Sequence, residues 1–88
     1  MKGLEVEKDG QVSRLNVQGV FVEIGLIPTS ECAALVKRNE KKEIIVDGDN
    51  QTSVDGIFAA GDVTDVHEKQ IIIACGEGSK ACLSAFRY

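Results

Sequence analysis

Gly61 and Asp62 stand where a short apolar run, Gly56-Ile57-Phe58-Ala59-Ala60, gives out. A strand ending this way carries a small residue, a residue tolerant of unusual backbone angles and a carboxylate at its carboxyl edge. Ligands of α/β sheets bind at that edge. The glycine would let a ligand approach the main chain, and the aspartate could accept hydrogen bonds from a polyol. A helix is expected to begin shortly after, near Lys69. Its N-terminus offers unpaired N–H groups and a partial positive charge.

Other residue types capable of chemistry are arranged less pointedly. Cys32, Cys75 and Cys82 are odd in number and form neither a C-x-x-C nor a zinc spacing. They read as three buried thiols acting as small hydrophobes. Cys75 and Cys82 sit two turns apart on one helix face, too far for a disulfide in a straight helix. Asp47-Gly48-Asp49 after Glu43-Ile44-Ile45-Val46 has the aspartate-x-aspartate form of a phosphatase nucleophile, but the threonine comes one residue late. As a calcium loop it has Thr52 and Phe58 where glycine and glutamate belong. A turn rich in Asp, Gly and Asn accounts for it. His67, the single histidine, reads as a solvent-facing loop residue, and Asp55 and Asp65 as turn and cap residues.

Positioning these groups falls to a chain of α/β character, α+β for the 88 residues taken alone. Leu4 and Val6 alternate with charged partners, Asp9-Gly10 is a hairpin turn signal, and Val12, Leu15 and Val17 continue the pattern. After Gly19, the run Val20-Phe21-Val22-Glu23-Ile24 suits a strand buried on both faces, giving a three-stranded meander. Ser30 to Arg38 suits a short amphipathic helix, Glu43 to Val46 and Gly56 to Asp62 two further strands. Lys69 to Arg87 should be the longest helix, with Ile71, Cys75, Gly78, Cys82 and Phe86 on one side. Gly76 and Gly78 within it suggest close approach by another backbone or a ligand.

Composition narrows the class of partner. The formal net charge is −4, and the basic cluster Lys37-Arg38 with Lys41-Lys42 is interrupted by Glu40 and Glu43. No nucleic-acid surface is expected from that balance. No apolar stretch is long enough to span a bilayer, so no membrane partner is expected. The hydrophilic start, Met1 to Glu5, is unlike a signal peptide, which leaves the cytoplasm as the expected location.

Thr52 to Val63, T-S-V-D-G-I-F-A-A-G-D-V, followed by Lys69 to Phe86, K-Q-I-I-I-A-C-G-E-G-S-K-A-C-L-S-A-F, resembles the second FAD-binding motif of the thioredoxin reductase family. These are FAD-dependent pyridine nucleotide-disulfide oxidoreductases, and the likeness is greatest to their alkyl hydroperoxide reductase branch. Gly19 to Pro28 is similar to the segment where that family's chain leaves the NAD(P)H domain. The resemblance implies that residues 1–26 are the tail of an NAD(P)H-binding domain, 27–42 a crossover, and 43–88 the C-terminal part of an FAD-binding domain. It also implies that Asp62 bonds ribityl or ribose hydroxyls of FAD while Gly61 permits the approach. Lys69 takes a position that is often arginine, and Gln70 and Ile71 open the helix whose N–H groups face the flavin's pyrimidine edge.

The family's G-x-G-x-x-G turns and redox C-x-x-C do not occur in these 88 residues. The expectation is therefore a fragment supplying half of a flavin site, not catalytic alone, with Tyr88 falling inside what the family continues as a helix. The alternative is a stand-alone, non-catalytic module. Either way, surfaces that the missing chain would cover favour self-association or a complementing chain.

Overall fold

A computed structural model describes all 88 residues, Met1 to Tyr88. Two strands, β1 (Leu4–Lys8) and β2 (Gln11–Leu15), pair antiparallel with Lys8 opposite Gln11. Asp9 and Gly10 make the two-residue loop, and both have positive φ, 53° and 79°. That is the turn whose twist matches a hairpin, and Asp-Gly is a sequence suited to it. One 17-residue helix, α1 (Ile71–Arg87), closes the chain.

The third strand of the meander does not form. Residues Val20 to Ile24 form no regular element and belong to no ladder, and Phe21 and Ile24 are 96% and 91% exposed. Apolarity on both faces signals a strand sandwiched between neighbours, and no segment of these 88 residues supplies them.

The remaining expectations fail in a related way. Ser30 to Arg38 makes only a 3₁₀ turn, Glu31–Ala33. Beyond Val36 the backbone is drawn into extended pairings: the Lys37 amide donates to Ser53 Oγ (2.7 Å), and Ile45 N–H donates to the Lys37 carbonyl (3.1 Å). Helix continuation would require those groups for itself. Instead of strands, Glu43 to Val46 and Gly56 to Asp62 contribute single bridges: Arg38 with Ile44, Ile44 with Thr64, and Gln51 with Phe58. The chain has 36 backbone–backbone hydrogen bonds, where its length would ordinarily hold about 60.

The centre of the body, residues 28–88, is more polar than apolar. Val36 and Ile44 are its only buried hydrophobic side chains, against buried Ser30, Asn50, Thr64 and Ser84. Each of the first three is bonded across the loops. Ser30 Oγ donates to the Lys42 carbonyl at 2.6 Å. Asn50 Nδ2 donates to the Ala59 carbonyl at 2.9 Å and to Glu77 Oε2 at 2.7 Å. Thr64 Oγ1 donates to the Gly61 carbonyl at 2.7 Å. Buried hydroxyls and amides are tolerated only on such terms. At the far end, the Tyr88 ring meets Phe58 edge-on, centroids 6.0 Å apart, and covers Gly56.

The helix presents to these loops a face other than the expected one. Ile73, Ala74, Glu77, Lys80 and Ala81 are half-buried and Ser84 is buried, at helical spacing, whereas Ile71, Cys75, Cys82 and Phe86 are exposed. Small and polar side chains let the loops approach closely, while the bulkier apolar stripe has nothing within the chain to cover it. A Cβ at Gly76 or Gly78 would meet open space, so no backbone approaches either.

The hairpin touches neither the helix nor any other named element. The molecule is accordingly long, 57 × 25 × 20 Å, with a radius of gyration of 18.9 Å, against about 12 Å for a compact chain of this length.

Candidate functional site

Gly61 is buried with φ +83°. A Cβ there would lie an ordinary 3.5 Å from the Ala74 side chain, so the demand for glycine comes from the left-handed backbone rather than from crowding. The turn that follows is closed twice on the Gly61 carbonyl, by the Thr64 amide at 3.0 Å and the Thr64 hydroxyl. Ile44 holds it from the side: the Ile44 amide donates to the Val63 carbonyl and the Asp65 amide to the Ile44 carbonyl, both at 2.9 Å. Val46 N–H adds a bond to Asp65 Oδ1 at 3.1 Å.

Asp62 projects from this braced turn into solvent and enters none of the chain's internal side-chain bonds. It borders a cleft of about 440 Å³ shared with Leu26, Pro28, Glu43, His67 and Lys69, and a second, more apolar one that reaches Cys32. Its carboxylate is thus free to accept hydrogen bonds from a ligand. Against the same turn lies the start of α1, through Ala74. Gln70 caps the helix in an extended conformation without a side-chain hydrogen bond, and the first turn holds no acidic residue. The amides of Ile71, Ile72 and Ile73 therefore remain open, with the positive end of the helix dipole uncompensated.

Lys69 is turned inward. Its ammonium donates to the Thr64 carbonyl and pairs with Glu43 Oε2 at 2.9 Å. Glu43 also accepts from Asn39 Nδ2 at 2.8 Å, and Asn39 Oδ1 takes the amides of Lys41 and Glu43. The bond from Asn39, followed by that from Lys69, holds the Glu43 carboxyl below its ordinary pKa of 4.5, against the opposing effect of partial burial. Glu77 is lowered likewise, by its bond from Asn50 first and from Lys80 second. Asn50 Oδ1 is the one buried side-chain atom without a partner.

Of the residues expected at the site, Asp62 and Lys69 line one cleft, Gly61 lies against Ala74 in the first turn of α1, and Gln70 is the helix cap, with the exposed Ile71 as the first helical residue. Glu43, Asn39 and Thr64 were missed. Glu43 and Lys69 lie far apart in sequence with no pattern joining them; only Thr64, three residues past a glycine, carries a turn signal.

His67 is a loop residue beside Glu68, Nδ1 to Oε1 2.9 Å, with its side chain 96% exposed. The Asp47 carboxylate is taken by the amides of Asp49 (2.8 Å) and Gln51 (3.0 Å), as an Asp-Gly turn requires. The three cysteines are exposed rather than buried: Cys75 and Cys82 lie on the uncovered side of α1, and Cys32 lines the cleft.

The sequence profile described as Pyridine nucleotide-disulphide oxidoreductase matches residues 2–78. A component protein of the alkyl hydroperoxide reductase of Staphylococcus aureus is 54% identical over 80 residues, covering 90% of this chain and 16% of that protein. Its counterpart in Staphylococcus epidermidis is 51% identical over the same share. Among solved structures, the thioredoxin reductase of T. acidophilum superposes with a TM-score of 0.82 at 38% identity, over 98% of this chain and 30% of that one. That of Streptococcus pyogenes gives 0.79 at 32% identity, over 99% and 29%.

Proposed function

This chain belongs to the pyridine nucleotide-disulphide oxidoreductase family, and on that footing we propose that it supplies one wall of an FAD site in an NAD(P)H-dependent disulfide reductase. Residues 43–88 are assigned to the FAD-binding side, 1–26 to the tail of the NAD(P)H-binding side and 27–42 to the crossover. The chain spans about a sixth of the length of the curated relatives it matches. Within it the G-x-G-x-x-G and C-x-x-C motifs do not occur, so these 88 residues are not catalytic by themselves.

The observation that carries the reading is an unpartnered Asp62 carboxylate, presented by a left-handed Gly61, beside a helix start with open amides. The donor set suits the group. Asp62 accepts hydrogen bonds from ribityl or ribose hydroxyls, and the left-handed Gly61 backbone sets the turn that presents it. The amides of Ile71 to Ile73 donate to the oxygen-bearing, electron-rich edge of the ring system. Bound flavin would supply the capacity to take hydride from NAD(P)H and pass electrons to a disulfide.

Titration of the chain with FAD, followed by flavin fluorescence, tests this assignment. Asp62→Ala should weaken binding by about tenfold or more, the loss of a charged acceptor. Equal titrations of wild type and variant would overturn it.

A second reading, that the chain works by association, rests on the exposure of Phe21, Ile24, Ile27, Ile71 and Phe86. These side chains would be covered by a second copy or a complementing chain. A chain that sediments as a monomer at all concentrations would count against it, and a colourless protein that refuses FAD would favour a non-catalytic module.

A further inference from the structure

We infer that Glu43 and Lys69 form a positioning clamp, which holds the Gly61–Thr64 turn and the start of α1 in fixed register; its role toward a cofactor rests on the flavin reading above. The two side chains are only 15% and 19% exposed and meet at 2.9 Å. Lys69 also holds the Thr64 carbonyl, and Thr64 in turn holds the Gly61 carbonyl through its hydroxyl. A continuous path of bonds therefore runs from the Asn39–Glu43 turn to the backbone that presents Asp62. Lys69 is also the residue before the Gln70 cap, so the same ammonium fixes where the open helix amides begin.

The geometry separates two roles for Lys69. A free ammonium beside a helix N-terminus would act as a charge, attracting an anion. Here the charge is spent internally on Glu43, which also offsets the unfavourable placement of a cation near the positive end of a helix. Lys69 therefore acts through Thr64 rather than on the ligand. Breaking the pair from either side should have the same sign of effect.

The test compares Glu43→Gln, Lys69→Met and the exchanged pair Glu43→Lys with Lys69→Glu, using FAD as the probe. Amide exchange is read at Ile44, Thr64, Asp65 and Ala74, whose bonds define the turn and the first helical turn. Each single variant should speed exchange at these amides roughly tenfold, leave the hairpin amides unchanged, and raise the FAD dissociation constant by a similar factor. The exchanged pair keeps the opposite charges but should restore neither, because a carboxylate at position 69 cannot donate to the Thr64 carbonyl and an ammonium at position 43 cannot accept from Asn39. Tighter FAD binding in Glu43→Gln with weaker binding in Lys69→Met would make Lys69 a charge and overturn the inference. Unchanged exchange in both single variants, or faster exchange with unchanged FAD affinity, would overturn it as well. A wild-type chain that takes up no FAD defeats the cofactor reading alone, since exchange still decides whether the clamp sets the turn.

Discussion

The hairpin and the body are held together by different means. Residues 4–15 rely on neighbours in sequence: a two-residue turn and a short ladder, with β2 exposed along its whole length. Such a hairpin is marginal in water. The body relies on bonds between distant segments, Ser30 to Lys42, Lys37 to Ser53, Asn50 to Glu77 and Lys69 to Glu43, with only two buried hydrophobic side chains among them. One region is local and weakly held, the other non-local and specified by polar geometry. Damage to either should stay where it is made.

The sharpest break should come at Gly61. Placing a β-branched side chain at φ +83° should cost the body about 2 kcal/mol or more, read as a lower midpoint of helix melting for Gly61→Val. The hairpin amides should exchange as before. A variant that loosens both regions would refute the division.

Acid should act next, and again on the body. Glu43 and Glu77 have pKa values below the ordinary 4.5, held down by Asn39 and Lys69 and by Asn50 and Lys80. Their stabilisation is complete above that ordinary value and is lost as pH falls through the lowered ones. Helical signal followed from about pH 6 downward should therefore fall only below about 4.5. Glu77→Gln should flatten that fall.

The smallest effect on the body should come from Gly10. With φ at +79°, Gly10→Ala should weaken the hairpin by about 1 kcal/mol and leave helix melting unmoved. Any shift in that melting would mean the two regions communicate.

Legibility in the sequence followed the same division. Asp9-Gly10 and the Ile71–Arg87 helix were readable because each is fixed by residues close in sequence. The left-handed turn at Gly61 was readable because that backbone conformation favours glycine. Val20 to Ile24 read as a strand because its composition records two covered faces, and composition cannot say whether the cover lies within the chain. The helix face was misjudged for the same reason: apolar periodicity marks a surface to be covered, while the contacts made here use Ala74, Glu77 and Ser84. The Glu43–Lys69 pair had no local signal at all.

Tyr88 gives the division an optical consequence. The chain has no tryptophan and one tyrosine, and that ring rests on Phe58 and Gly56 at the end of the body, remote from the hairpin. Its near-ultraviolet dichroism reports the docking of the helix terminus on the loops and is silent on the strands. Peptide-bond absorption records both regions together. A peptide-bond transition that the tyrosine band does not share therefore marks a change away from the helix terminus, without a label or a substitution.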